Sequence, residues 1–414
     1  MELKKRIFLV TALIYIAYAI FPIFADTFHI PVWLPSMLSF VIMLVLYPNA
    51  YSNKSFFWFT LYALALGIYV IVGKPLTIGI GTVHDSKKIF IEFAYILPTL
   101  SIFSILSYLD DMNLTRKMVR WSLGLLYVSF IVTFPLMRQY NSIRDALAEQ
   151  GEDFRVPGLP GYSLMHAYTL LVPAMCYAVK ASEKKKKLLA LVGLAVLCFM
   201  VYDTFVTTSL IIMIAVLAFA ILYKENSKSM SYLVMSIAAV TVFVLYQMGF
   251  FIALIDWIMP AFENTAVAFK LEDFRDSMLQ GLLTGGTITG RQNLHAVSWQ
   301  SFFHNPIFGT SVVGGHSAIV DRLGGMGLFA GLPFIMMIVS FIRMMKRRFQ
   351  TRGARTFFWV GVIAGFVFLY EKGLWGCESW LVYCVLMPMM IYVLDESKAN
   401  ENIGLDSELN NMTI

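Results

Sequence analysis

The sequence predicts an all-α fold, a polytopic membrane helix bundle of about 12 transmembrane spans, with a long outer loop (about 255–322) that contains short helices. Three observations carry this reading. Of the 414 residues, 58% are hydrophobic and 14% charged, whereas soluble domains run at roughly 45–50% and 25%, so no water-soluble core of this length could hide the apolar surface. The apolar residues come in spaced runs long enough, at about 1.5 Å per helical residue, to cross some 30 Å of hydrocarbon. Lysine and arginine clusters recur in alternate connections, which is a topology signal.

Taken in order, the spans fall near 7–25, 31–48, 56–73, 89–108, 121–137, 161–179, 188–203, 205–223, 231–254, 323–342, 356–370 and 379–394. The first follows Lys4, Lys5 and Arg6 and is too long for a signal-peptide core, so it reads as a signal anchor. The break at Asp203 suits either a tight outer turn or a polar kink in one longer span. Basic clusters at Lys4–Arg6, Arg116–Arg120, Lys184–Lys187 and Arg343–Arg355 place both termini in the cytoplasm. Residues 1–395 thus form one transmembrane helical domain with outer loops at about 138–160 and 255–322, and 396–414 is a polar, disordered cytoplasmic tail.

The net charge of +6 lies in short loops, not in one patch, so it marks topology and excludes a nucleic-acid partner. Cys176, Cys198, Cys377 and Cys384 sit in or beside apolar runs without metal-site spacing and read as packing residues. No Walker-type loop points to a nucleotide.

The outer loops are where chemistry is expected, because long loops in a compact protein are usually functional. Thr289 and Gln292 fit a capping box, predicting a helix over about 290–303 that stops before Asn305-Pro306. Arg291, His295 and Trp299 share one face of it at i, i+4, i+8. With Arg291 in the first turn, the helix N-terminus and a guanidinium together make a phosphate clamp. The same spacing also suits an interfacial helix with Trp299 as aromatic anchor and Arg291 snorkelling.

Gly314-Gly315 allow a tight turn before His316, which lies where a span begins. A histidine there can serve as a general base or as a structural hydrogen-bonder. Asp321, about 140° round a helix from His316, is not placed to pair with it directly. Gly324, Gly325, Gly327 and Gly331 read as close helix packing. Arg155, before a Pro/Gly turn and a span entry, suits a clamp or an interface anchor. His166, inside the following span, reads as an interhelical hydrogen-bonder.

The stretch TGRQNLHAVSWQSFFHNPIFGTSVVGGHSAIVDRLGGMGLFAGLPFI resembles the signature of the O-antigen polymerase (Wzy) and O-antigen ligase superfamily. Gly290-Arg291, Trp299, Pro306, Gly309, Gly315-His316-Ser317, Asp321 and Gly324–Gly327 fill that pattern in order, and FRVPGLPGYSLMHAYTLLVP is similar to its upstream loop. The resemblance implies a GT-C-like membrane glycosyltransferase of the bacterial cytoplasmic (inner) membrane, active on the outer, periplasmic face in capsule or lipopolysaccharide biosynthesis. It would move a glycan from undecaprenyl diphosphate to an acceptor sugar. His316 would be the catalytic base, with Arg291, Arg155 and Arg322 on the diphosphate and Asp321, His295 and Trp299 in support. It implies no cofactor and no metal. Its partners would be the lipid-linked oligosaccharide as donor and acceptor, membrane lipids, a chain-length regulator and a flippase. Polymerase is favoured over ligase by the His-Ser pair, and a lipid-linked oligosaccharide transporter is the competing class.

Overall fold

A computed structural model describes residues 2–24, 30–72, 76–78, 82–84, 86–137, 139, 161–203, 206–224, 250–262, 268, 271–272, 275, 287–310, 312–371 and 376–397. Among the described residues the architecture is all-α apart from one small sheet. The helices are α1 (Glu2–Ile20), α2 (Trp33–Leu46), α3 (Lys54–Ile71), α4 (Ser86–Leu109), α5 (Met112–Met137), α6 (Tyr162–Ala181), α7 (Lys184–Asp203) and α8 (Thr207–Leu222). They continue with α9 (Phe250–Ile258), α10 (Thr287–His304), α11 (Val320–Lys346), α12 (Arg352–Glu371) and α13 (Cys377–Ser397).

Among the described residues, four helices are long and apolar enough to cross a membrane: α5, α11, α12 and α13. Shorter apolar helices accompany them, such as Trp33–Leu46 and Thr208–Leu222. The chain does break after Asp203, and α8 resumes at Thr207, so two helices stand where one kinked span was the alternative. The last helix continues through Asp395, Glu396 and Ser397, slightly beyond the expected start of the tail.

The helices start where side chains satisfy their free amides. Asn53 Oδ1 accepts the Phe56 N–H at 3.0 Å ahead of α3, and Asp111 Oδ1 accepts the Leu114 N–H at 3.0 Å ahead of α5. Thr351 Oγ1 accepts the Ala354 N–H at 3.2 Å for α12. Helix α6 is buried on every face from Leu164 to Ala178, with α7, α8, α12 and α13 around it. A helix apolar all round belongs in the centre of a bundle. Helix α11 packs against α3 and α10, and α1 packs against α2 and α5.

The sheet is the part that hydropathy does not reveal. Strands β1 (Leu76–Ile78) and β2 (Thr82–His84) pair antiparallel, Thr77 opposite Val83. Strand β3 (Val312–Val313) adds parallel to β1, Thr77 opposite Val312, giving the order β2-β1-β3. The connection between α3 and α4 is thereby tied to the segment just before Gly314.

Candidate functional site

Helix α10 starts at Thr287, not at 290, so Thr289 lies inside it and is not its N-cap. Arg291 then falls at the start of the second turn, just past the free amides of the N-terminus. The helix ends at His304, before Asn305-Pro306, as the proline rule requires.

The segment carrying His316 is pressed against α10. A Cβ on Gly314 would lie 2.1 Å from Leu294 O, so the two backbones touch there. Arg291 is three residues before Leu294, about one turn along the axis. The fold therefore brings the backbone of Arg291 within a helical turn of the Gly314–His316 segment. His316 is half-buried and follows Gly315, whose φ of 79° calls for glycine. Arg155 lies outside the described residues, ahead of Gly161 and the start of α6.

Ser298, one turn beyond Leu294, is fully buried and joins three segments. Its Oγ accepts the Gly314 N–H at 2.8 Å and donates to Asp321 Oδ1 at 2.6 Å. Asp321 Oδ2 accepts the Ser317 N–H at 2.8 Å. Ser317 Oγ in turn accepts the Val320 N–H at 3.1 Å, capping α11. Asp321 thus braces the turn from both of its carboxylate oxygens. Ser298 was not singled out from sequence, although it lies seven residues after Arg291, on the same helix face.

Arg322, expected as a further diphosphate ligand, is only 5% exposed. Its Nε donates to Tyr62 Oη at 2.8 Å, a terminal nitrogen donates to Ala318 O, and the guanidinium lies 4.2 Å from the centre of the Phe334 ring. It braces α11 against α3 from inside the bundle, six residues after His316. His295 is 8% exposed, with its ring centre 4.8 Å from that of Tyr370 on α12, and among the described residues its Nε2 has no hydrogen-bond partner. Trp299 is half-buried and stacks on Phe303 at 5.8 Å. His166 packs its ring at 4.4 Å against Phe368, so α6 and α12 meet close below Leu369 and Tyr370.

The glycines after Arg322 do two different jobs. Gly324 allows close packing: a Cβ there would lie 2.4 Å from Ser298 O. Gly327 breaks the helix, with φ 59° and ψ −159°, a region essentially restricted to glycine. The Pro306–Gly309 loop fits into the break. Leu328 N–H donates to Pro306 O at 2.8 Å and Phe329 N–H to Ile307 O at 2.9 Å. On the other side, Gly324 O accepts the Thr310 N–H at 3.0 Å and Met326 O accepts Tyr69 Oη at 3.1 Å.

Among the described residues, no three His, Cys, Asp or Glu side chains gather as a metal site. Neither protein-family models nor curated proteins give a match to this chain.

Proposed function

We propose that this chain is a polysaccharide polymerase of the bacterial cytoplasmic membrane, acting on O-antigen or capsular repeat units at the outer face. The observation that carries the reading is the seam between α10, which bears Arg291, and the turn that bears His316, closed backbone to backbone at Leu294 and Gly314. The acceptor hydroxyl attacks the anomeric carbon of the donor glycan, and the bond from that carbon to the diphosphate oxygen breaks. His316 takes the hydroxyl proton. Undecaprenyl diphosphate leaves with the bonding electrons, and Arg291 and Arg155 stabilise its growing negative charge. The diphosphate bond supplies the energy, and guanidinium groups take the place a divalent ion would fill.

Topology supports this placement. Lys346 at the end of α11 is followed by Arg348, which bonds Asp110, whereas Val320 begins the same helix at the His316 turn. The basic clusters expected inside and the signature stretch expected outside thus lie at opposite ends of one long helix. With about twelve spans, both termini are then cytoplasmic.

One feature favours a lipid-linked oligosaccharide transporter: transporters bind substrate at broken helices. Here Pro306, Ile307, Thr310 and Tyr69 satisfy the backbone groups at the Gly327 break, so the chain itself closes it.

Arg291→Ala and His316→Ala should each lower polymer formation about 1000-fold or more while the protein still inserts. Arg291→Lys should recover little, because lysine lacks the bidentate fork. Full polymer laddering in either alanine variant removes that residue from the reaction. Deleting the gene separates the two enzyme readings: a single repeat left on the final acceptor marks a polymerase, and long glycan stranded on undecaprenyl diphosphate marks a ligase.

A further inference from the structure

We infer that Ser298 and Asp321 are positioning residues that set His316 against Arg291, an inference that rests on the glycosyl-transfer reading above. The two residues flanking Gly315-His316 are each held by their own amide. Gly314 N–H goes to Ser298 Oγ at 2.8 Å, and Ser317 N–H goes to Asp321 Oδ2 at 2.8 Å. The two acceptors are themselves bonded, Ser298 Oγ to Asp321 Oδ1 at 2.6 Å. His316 therefore belongs to a two-residue span strung between fixed points. One of those points lies on the helix of Arg291, two turns further along the same face, at about 10 Å of axial rise.

A purely local role for Asp321 does not account for this arrangement. An acidic residue in the first turn of a helix commonly serves its own free amides. In α11 the Val320 amide is already taken by Ser317 Oγ at 3.1 Å. The Asp321 carboxylate instead spends one oxygen on the turn and the other on α10. Ser298 likewise has a carbonyl of its own helix within reach, Leu294 O at 3.5 Å, yet its shorter bond goes to Asp321 at 2.6 Å. Close packing at Gly314 and Gly324, one against Leu294 and the other against Ser298, leaves the seam no room to slide. Loss of the Ser298 hydroxyl removes the acceptor of the Gly314 amide and frees the His316 turn, while Arg291 stays on an intact helix. Since a misplacement of about 1 Å can cost 100-fold in rate, the chemical step is the quantity exposed to this change.

The test uses the full chain in proteoliposomes, with lipid-linked repeat unit purified from a strain lacking this gene as substrate. Undecaprenyl diphosphate serves as the competing probe. Ser298→Ala should lower turnover about 30-fold and change inhibition by undecaprenyl diphosphate less than about 3-fold. Asp321→Asn keeps the shape and one acceptor oxygen, and should give the same split at about 5-fold. If Ser298→Ala does not fold, Asp321→Asn decides on the same criterion. Native turnover in the folded variants overturns the inference, and so does a parallel loss of turnover and probe affinity, which is what a merely structural role produces. A native chain that neither extends the glycan nor is inhibited by undecaprenyl diphosphate overturns the glycosyl-transfer reading itself, and the positioning role with it.

Discussion

Where Lys5, Asp110, Asp111, Arg348 and Asp395 meet, charged side chains close the bundle; where α10 meets α11, backbone lies on backbone with only glycine between. At the first end, Lys5 Nζ sits 2.5 Å from Asp111 Oδ2 and Arg348 Nη1 sits 2.9 Å from Asp110 Oδ1. Asp395 accepts the Gln350 N–H at 2.6 Å and the Thr351 N–H at 3.1 Å, so the last helix caps the start of α12. At the second end, Gly309, Gly314, Gly324 and Gly327 each lie against the backbone of another segment, at spacings no Cβ could enter. Long flexible side chains tolerate small movements, and their exposed ion pairs contribute little singly. Glycine seams tolerate almost none. The rigid end is the one that carries the proposed reaction, as a site that must hold its groups to a fraction of an ångström requires.

The sharpest way to break this comparison is at Gly327. Gly327→Ala combines a forbidden backbone region with a clash at Ile307, and should cost about 3–5 kcal/mol. Fluorescence-detected size exclusion of the solubilised protein would show loss of the folded peak, and a variant that runs and melts like the native chain would mean that the seam is not rigid. Next comes Asp395→Ala, which removes a buried carboxylate and the acceptor of the Gln350 and Thr351 amides at the opposite end. It should cost about 2–4 kcal/mol, read as a lower melting temperature in detergent. An unchanged melt would show that α12 does not depend on that cap.

The smallest effect concerns pH. The hydrogen bond from Lys5, then that from the Leu114 amide, hold Asp111 below its usual 3.8, and the bond to Asp111 raises Lys5 above its usual 10.5. The depressed carboxylate stabilises the fold above 3.8, and that contribution fades as pH falls through the lower folded value. The raised ammonium contributes fully below 10.5, and its share fades as pH rises through the higher folded value. Melting measured across pH should therefore show a shallow plateau between these limits, flattened in Asp111→Asn. An identical profile in the variant would assign the pH response to other groups.

Much of this was legible in the sequence, because hydropathy and local chemistry act over short stretches. The helix bearing Arg291 and His295, its stop before Asn305-Pro306, and the break after Asp203 follow from neighbouring residues. The start of α10 did not, since Gly290 inside a helix costs only about 1 kcal/mol and tertiary contact offsets it. The dual role of the glycines was hidden for another reason. Gly324 and Gly327 look alike locally, and only the Pro306–Gly309 loop decides which one packs and which one breaks the helix. Arg322 belongs, by the resemblance, with the diphosphate, yet the turn of α11 carries it inward to Tyr62 and Phe334, contacts that no local pattern announces. The strands at 76–84 are too short for hydrophobic alternation to register, although Gly79 and Gly81 between them are a hairpin signal.

The three-stranded sheet also orders events during synthesis. Its first two strands leave the ribosome early, with the third helix, whereas Val312 and Val313 come far later, after α10. Chains are made from the N-terminus and pair distant segments last, so the β1 edge waits open until Val312 and Val313 have been made. Closing that edge is then the step that joins the early and late thirds of the protein, and a nascent chain halted before residue 312 lacks it.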